Sequence, residues 1–280
     1  MSKITIIISP TKYLDCLSKM LASVHSQKNI EFDLITYDKY YTNTDYEILE
    51  EYKVHLIENN FSDSDNDSHL LNLIISNYSN EIIVFLEPSN ILLNEYSIFN
   101  LIKQLRNQEA FIIFGRKIAF PNARTWLKRD FEHAYPEDGE PAAWVGFSFA
   151  FSAILRTCWE QHHFNNDSEI LSDYEWGYWA NNNDIVVSYA PKAISLHFVN
   201  QSFSSLYETR RKEGQMDTEI KKKCIGLKDL IKLFIKSFFK DLICYTVRRD
   251  FIGMLTVPIK NIVATLGYFA GVRDAKKKIT

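Results

Sequence analysis

The chain has 280 residues, 46% of them apolar and 24% charged, with 32 Lys and Arg against 35 Asp and Glu and a net charge of −3. These are globular proportions, and they exclude a disordered tail, a collagen and a coiled-coil rod. At roughly 150 residues per domain, the length suits one large domain or one domain with an appendage.

Cys16, Cys158, Cys224 and Cys244 form no Cys-x-x-Cys pair and sit in mostly apolar surroundings, which reads as buried thiols in a reducing compartment. Ile4–Ile8 is too short for the apolar core of a leader peptide, and no stretch reaches the roughly 18 uninterrupted apolar residues of a membrane span. From Gly226 to Thr280 the chain carries eleven Lys and Arg against four Asp and Glu, a net of +7, which leaves −10 for the preceding 225 residues. An acidic body with a basic, apolar end does not read as a nucleic-acid binder. It reads as a soluble domain with a surface-seeking tail.

In chain order, Ile4–Ser9 predicts a buried strand, and Leu14, Leu17, Met20, Leu21 and Val24 predict a helix. Phe32–Tyr37, Lys53–Ile57, Glu81–Leu86 and Ala110–Phe114 read as further strands, with helices over His69–Asn77 and Ile98–Leu105. Strand and helix alternate, so the expected fold is α/β, a Rossmann-like mostly parallel sheet covered on both faces. Ligands of such sheets bind beyond the carboxyl ends of the strands. Pro121–Pro141, rich in charge and proline, reads as a long irregular loop. Trp144–Leu155 reads as a strand, Ser172–Asn181 as a helix opened by a Ser-x-x-Glu capping box, and Asp184–Tyr189 and Ala193–Phe198 as two short strands. Helices dominate from Leu227 onward.

Chemistry can sit at several of these ends. Ser9-Pro10-Thr11 follows the first strand and Asp38 closes the second, where a carboxylate can accept hydrogen bonds from a base or ribose. The loop has neither G-x-G-x-x-G nor a P-loop, which argues against both dinucleotide and P-loop sites. Glu87-Pro88-Ser89 follows the fourth strand and offers one hard oxygen ligand for a divalent cation. Asp63, Asp65 and Asp67 lack the glycine and glutamate of an EF-hand, and the run reads as a solvated loop. Asp173 opens a helix beside aromatic residues, which suits a general base whose basicity is raised by partial desolvation. His197 ends an apolar strand. Arg210 and Arg211, read as lying on a loop, could clamp phosphate bidentately.

Taken in order, these segments resemble family 2 glycosyltransferases of the GT-A fold, over Lys3 to about Gly214. Ile4-Thr-Ile-Ile-Ile-Ser-Pro-Thr11 is similar to that family's opening strand, and Phe32–Asp38 to its second, nucleotide-contacting strand. Asn72 resembles the Asn of the R-N-x-G helix, and Glu81–Ser89 aligns with the F-L-D-x-D segment. Val145–Arg156 looks like the acceptor-side strand, Leu171–Trp176 like the E-D motif, and His197 like the late metal-binding histidine. Arg210, Arg211 and Gly214 resemble the loop that closes over the diphosphate. The family's D-x-D is Glu87-x-Ser89 here, and the first acid of its E-D pair is Ser172.

The resemblance implies inverting transfer of a sugar from a nucleotide-sugar donor to a lipid-linked or surface-polysaccharide acceptor. It implies Asp173 as base, and Pro10, Thr11, Asp38, Asn72, Arg210 and Arg211 on the nucleotide. Glu87 and His197 would hold Mg2+ or Mn2+, and Trp144, Glu175 and Trp176 would face the acceptor. The missing carboxylates fit a second reading, a catalytically silent GT-A domain serving as a binding or scaffold subunit in glycan assembly. A sugar-nucleotidyltransferase fits less well, because Ser9–Asp15 has no glycine and only Lys12 for a basic loop.

The domain expectation is a GT-A domain over 1–225 and a helical tail over 226–280. In the tail, Lys228, Lys232, Lys236 and Lys240 recur every four residues among Leu230, Ile231, Phe234, Ile235, Phe238 and Phe239. One cationic helical face in an apolar surround suits an anionic membrane surface. The expected place is cytoplasmic, peripheral on the inner face of the cell membrane.

Overall fold

The structure, a computed structural model, describes residues 3–11, 14–57, 67–107, 109–142, 145–166, 172–200, 202–220, 222 and 226–279. The elements are β1 (Ile4–Ile8), α1 (Leu17–His25), β2 (Phe32–Tyr37), α2 (Asn43–Glu51), β3 (His55–Ile57), α3 (Asp67–Asn77), β4 (Ile82–Leu86), β5 (Asn90–Leu92) and α4 (Ser97–Arg106). They continue with β6 (Ile112–Ala119), α5 (Thr125–Ala134), β7 (Phe151–Leu155), α6 (Arg156–Gln161), α7 (Ser172–Asn182) and β8 (Val187–His197). Then come α8 (Phe203–Glu219), α9 (Leu227–Val247), α10 (Phe251–Met254) and α11 (Val257–Ile279).

The strands form one sheet in the order β3-β2-β1-β4-β7-β6-β8-β5. The first four run parallel. β7 runs against both β4 and β6, so the sheet as a whole is mixed. Central strands are buried on both faces, and alternate residues of β1 serve different cores. Ile4, Ile6 and Ile8 pack with Leu17, Met20, Leu21 and Val24 of α1, while Ile7 packs with Leu70, Leu71 and Ile74 of α3 and Trp176 of α7. This pleat is why the β-branched run Ile4–Ile8 forms a strand.

Four expectations change. Pro121–Pro141 contains helix α5, whose buried residues Trp126, Leu127 and Ala134 follow helical spacing beneath a polar composition. Only Phe151–Leu155 of the Trp144–Leu155 segment is strand. The two strands expected between Asp184 and Phe198 are one, β8, with a register shift against β6 at Gly115/Arg116. Asn43–Glu51, to which periodicity assigns nothing, is α2, opened by a capping box in which the Thr42 backbone N–H donates to Asp45 Oδ2 at 2.8 Å. Of the cysteines, Cys158 is buried with its thiol pushed up to about 12, whereas Cys16 and Cys244 are only partly covered; Cys224 lies outside the described residues.

The chain divides into two compact units, Met1–Phe120 with Phe131–Phe198, and Pro121–Asp130 with Val199–Thr280. The second unit takes in a piece of the middle of the chain. In this second unit, α8 and α11 approach backbone to backbone. A Cβ on Gly271 would stand 1.8 Å from the Arg211 carbonyl oxygen, and one on Gly214 would stand 2.2 Å from that of Tyr268. Asp241 is buried there, accepting from Lys260 Nζ at 2.8 Å, from Asn261 Nδ2 at 2.7 Å and from Arg129. Outward, α9 to α11 present Ile231, Leu233, Ile235, Phe239, Ile243, Val247, Phe251, Ile252, Leu255, Ile259, Ile262, Leu266 and Phe269 to solvent. Among the described residues no helix is long and apolar enough to cross a membrane.

Candidate active site

Within the first unit, the carboxyl end of β4 runs straight into Glu87-Pro88-Ser89-Asn90. The Asn90 N–H donates to the Glu87 carbonyl at 3.0 Å, which closes a turn and starts β5. β5 then pairs antiparallel with β8, setting Asn90 opposite His197. From the other side β6 runs parallel to β8, setting Ala119 opposite His197 and Lys117 opposite Ser195. Registered neighbours share a face of the sheet, so Asn90, His197 and Lys117 lie on the same one.

Asn90 is a buried hub. Its Nδ2 donates to Ser89 Oγ at 3.4 Å, and its Oδ1 accepts from Ser195 Oγ at 3.1 Å and from His197 Nδ1 at 3.0 Å. That last bond assigns the imidazole proton to Nδ1 and leaves Nε2 as the lone-pair nitrogen. Burial, and then the charge of Lys117, press the His197 pKa down to about 3, so the ring is neutral. Phe131 stacks on it at 5.7 Å. Ser89 Oγ donates to Glu87 Oε2 at 3.2 Å and lies 3.5 Å from His197 Nδ1. Burial lifts the Glu87 carboxyl to about 7, opposed by Lys117.

Asp173 stands in the first turn of α7, where the helix dipole favours its anion. It accepts the Tyr174 N–H at 2.9 Å. Burial nonetheless raises its pKa above the ordinary value, against those backbone bonds and Lys117. Glu87, Asp173 and His197 all keep partial solvent exposure. Lys117 is buried, with Nζ 5.1 Å from the centre of the Tyr135 ring. Burial alone would lower its pKa, but Tyr135, Glu87 and Asp173 together raise it, so the ammonium stays charged.

At the ends of β1 and β2, two buried hydroxyls, Ser9 Oγ and Tyr37 Oη, have no hydrogen-bond partner among the described residues. They flank the loop of Pro10 and Thr11 and the acid Asp38, whose Oδ1 accepts from Tyr46 Oη at 2.6 Å. Orphaned buried polar atoms are uncommon, and these point to a polar ligand.

The sequence expectations fare unequally. Asp173, Glu87 and His197 come together around Lys117, and Pro10, Thr11 and Asp38 share the carboxyl edge of the parallel strands. Asn72 is committed elsewhere. Its Nδ2 donates to the Phe164 carbonyl at 2.7 Å and to Asn166 Oδ1 at 2.9 Å. Its Oδ1 accepts from Trp159 Nε1 at 2.9 Å and from the Phe164 N–H at 3.1 Å. All four bonding capacities are used, and none remains for a nucleotide. Trp176 is not a platform: it is fully buried, packed at 4.8 Å on Phe147, with Nε1 donating to the His162 carbonyl at 2.7 Å. Glu175 turns toward His162, with 3.5 Å between Oε1 and Nε2. Trp144 lies outside the described residues. Arg210 and Arg211 lie in helix α8 of the second unit, not on a loop. Arg210 is paired with Glu213 at 2.6 Å and Arg211 with Asp274 at 2.8 Å.

Sequence reasoning missed Lys117, Tyr135, Phe131 and Asn90. The available signal was the apolar pair Ile118-Ala119, which continues the strand beyond Phe114 and carries Lys117 inward with it.

Glu87 and the Nε2 of His197 suit Mg2+ or Mn2+ as part of a shell, since the other ring nitrogen is anchored as metal-bound histidines require. Among the described residues no group of three or more His, Cys, Asp or Glu side chains could hold a metal ion, so phosphate oxygens and water would have to complete such a shell.

No family model matches the chain, and no curated protein matches it. Among solved structures it is similar to a mannosyltransferase from Pyrobaculum calidifontis, held with GDP-Man and Mn2+, at TM-score 0.62 and 13% identity over 98% of this chain and 75% of that one. It is also similar to glucosyl-3-phosphoglycerate synthase from Mycobacterium tuberculosis, in complex with phosphoglyceric acid, at TM-score 0.55 and 12% identity over 79% and 80% of the two chains. TarS of S. aureus matches at TM-score 0.54 and 14% identity over 85% of this chain, which spans 43% of TarS. At such identities the likeness is one of fold. The mixed sheet, with its acids at the carboxyl end of β4 and at the start of α7, has the GT-A glycosyltransferase fold.

Proposed function

We propose that the chain transfers a sugar from a nucleotide-sugar donor to an acceptor hydroxyl, with inversion, in the manner of family 2 glycosyltransferases. The observation that carries this reading is the convergence of Glu87, Asp173 and His197 around Lys117, at one edge of a GT-A sheet. Asp38, with Pro10 and Thr11, receives the nucleotide, where the unpartnered hydroxyls of Ser9 and Tyr37 supply further contacts. Asp173 takes the proton of the acceptor hydroxyl as its oxygen attacks the anomeric carbon. The bond from that carbon to the phosphate oxygen breaks, and the diphosphate leaves with the electron pair. Burial makes Asp173 a stronger base than an exposed aspartate. Glu87 and His197 would hold Mg2+ or Mn2+, which supplies charge to a leaving diphosphate.

The test is transfer of labelled sugar from GDP-mannose or UDP-glucose to a membrane extract. Asp173→Asn should lower turnover by about a hundred- to ten-thousandfold with nucleotide binding retained. An active Asp173→Asn enzyme removes the base, and no turnover of any donor favours the silent scaffold reading.

The acceptor, on this proposal, is lipid-linked or a surface polysaccharide, met at the cytoplasmic face of the cell membrane. Support comes from the second unit. Thirteen of its large apolar side chains between Ile231 and Phe269 are exposed, well beyond what a monomer leaves scattered on its surface. Exposed Lys228, Lys232, Lys236 and Lys240 run through the α9 part of this surface. Such lysines can reach anionic headgroups while their stems lie among acyl chains, each worth about 1 kcal/mol. The chain should sediment with vesicles rich in phosphatidylglycerol, and Phe239→Glu with Ile243→Glu should release it. A chain left in the supernatant, or a dimer in solution that buries this face, overturns the membrane assignment.

A further inference from the structure

Lys117 is a charged group of the site that the mechanism above does not use. It sits on β6 just after the register shift, opposite Ser195, with only 8% of its surface exposed. Its ammonium lies over Tyr135, and among the described residues it forms no ion pair. A buried cation without a counter-ion is costly, and it persists where something repays that cost. The ammonium has three donors and no acceptor, and Tyr135 occupies at most one of them. Glu87 and Asp173 are within electrostatic reach, and His197 shares its face of the sheet. The compact hydrated charge of lysine suits a phosphate oxygen.

We propose that Lys117 is a phosphate-binding residue of this site, its ammonium receiving the donor's diphosphate directly, so that nucleotide binding survives removal of divalent metal. The inference rests on the nucleotide-sugar reading of the same site. It assigns the fixed positive charge to the chain itself, where the altered Glu87-x-Ser89 has lost a metal carboxylate. A side chain already in place costs no recruitment of an ion and no ordering at the moment the leaving group charges.

The experiment titrates UDP, GDP and inorganic pyrophosphate calorimetrically into the full chain, in EDTA and in Mn2+. Wild type should bind one nucleotide, and pyrophosphate, in EDTA. Lys117→Met should weaken that binding by about ten- to a hundredfold, and Lys117→Arg should restore part of it. Without ligand, Lys117→Met should melt no lower than wild type, because an unpaired buried charge has gone; a merely structural lysine would give a lower melting temperature. Wild-type binding seen only with Mn2+ overturns the role of Lys117 and leaves the donor reading standing, as does a Lys117→Met protein that binds as wild type in EDTA. Absence of binding under every condition overturns both. If the methionine variant does not fold, Lys117→Gln takes its place in the EDTA titration, and binding at wild-type strength overturns the role of Lys117.

Discussion

Lys117 and Lys260 each place an ammonium over an aromatic ring, 5.1 Å from the centre of Tyr135 and 5.2 Å from that of Trp126. Both are nearly excluded from water. Lys260 then meets Asp241 at 2.8 Å, and Arg129 and Asn261 occupy the same carboxylate. Burial would raise the Asp241 pKa, but these partners hold it below the ordinary range. Lys117 has only carboxyls at a distance, and those, Glu87 and Asp173, are pushed up. The first cluster is electrostatically closed and holds helices together. The second has no such carboxylate in contact among the described residues, and its acids Glu87, Asp173 and the nearby His197 are partly exposed. A buried charge is therefore a structural fastening when its partners are present and a binding determinant when they are not.

The contrast is broken most severely at its closed end. Asp241→Ala leaves Lys260 buried without its anion and Arg129 with Asp130 alone, and should cost about 3–5 kcal/mol, read from chemical unfolding. A loss below about 1 kcal/mol would place that cluster with ordinary surface pairs.

At the open end, pH sharpens the comparison. The Glu87 carboxyl is raised from 4.5 to about 7, so the folded state holds its proton more firmly than the unfolded chain does. The stability this contributes is complete below pH 4.5 and is lost as pH rises through 7. The full shift corresponds to about 3 kcal/mol at most, and partial exposure reduces it to about 1–2 kcal/mol. Glu87→Gln should therefore match wild type in melting temperature near pH 5 and exceed it above pH 8. Parallel curves would mean that Glu87 ionises as a solvated acid.

The smallest effect belongs to the exposed pair. Arg211 and Asp274 are 2.8 Å apart with 44% and 26% of their side chains exposed. Arg211→Ala should leave the melting temperature within error of wild type, because water screens an exposed pair; a clear fall would extend the closed cluster's behaviour to the surface.

Much of this was legible in the residues. Short runs rich in β-branched and other apolar residues gave β1 and β4 nearly to the residue, because strands buried on both faces need nothing else. The place of Asp173 in the first turn of a helix was legible from the Ser-x-x-Glu pattern of Ser172 and Glu175. The misreadings share a cause, which is that side-chain chemistry was taken for exposure. Arg210 and Arg211 looked like a clamp, yet Gly214 beside them serves the close approach of α8 to α11 and not a loop. Trp176 looked like a sugar platform and is core, and Asn72 looked like a ligand and is saturated. Lys117 was overlooked because a lysine next to Gly115 and Arg116 resembles the end of a strand. Nothing local announces that β8 will continue the sheet past it.

The shift in β6 at Gly115/Arg116 carries one more implication. Before it, Gly115 faces Ala190; after it, Arg116 faces Ile194. β8 thus accommodates the extra residues 191–193 at this point. Gly115 fits there because a Cβ would press to 2.2 Å from the Phe151 ring and 3.0 Å from the Ala193 carbonyl oxygen. Side chains alternate with every residue, so the number of residues in that excursion decides which way His197 points. Gaining or losing a single residue there would turn the imidazole to the opposite face and carry it away from Asn90. The segment acts as a ruler. Its composition can drift, while its length is tied to the chemistry four residues downstream.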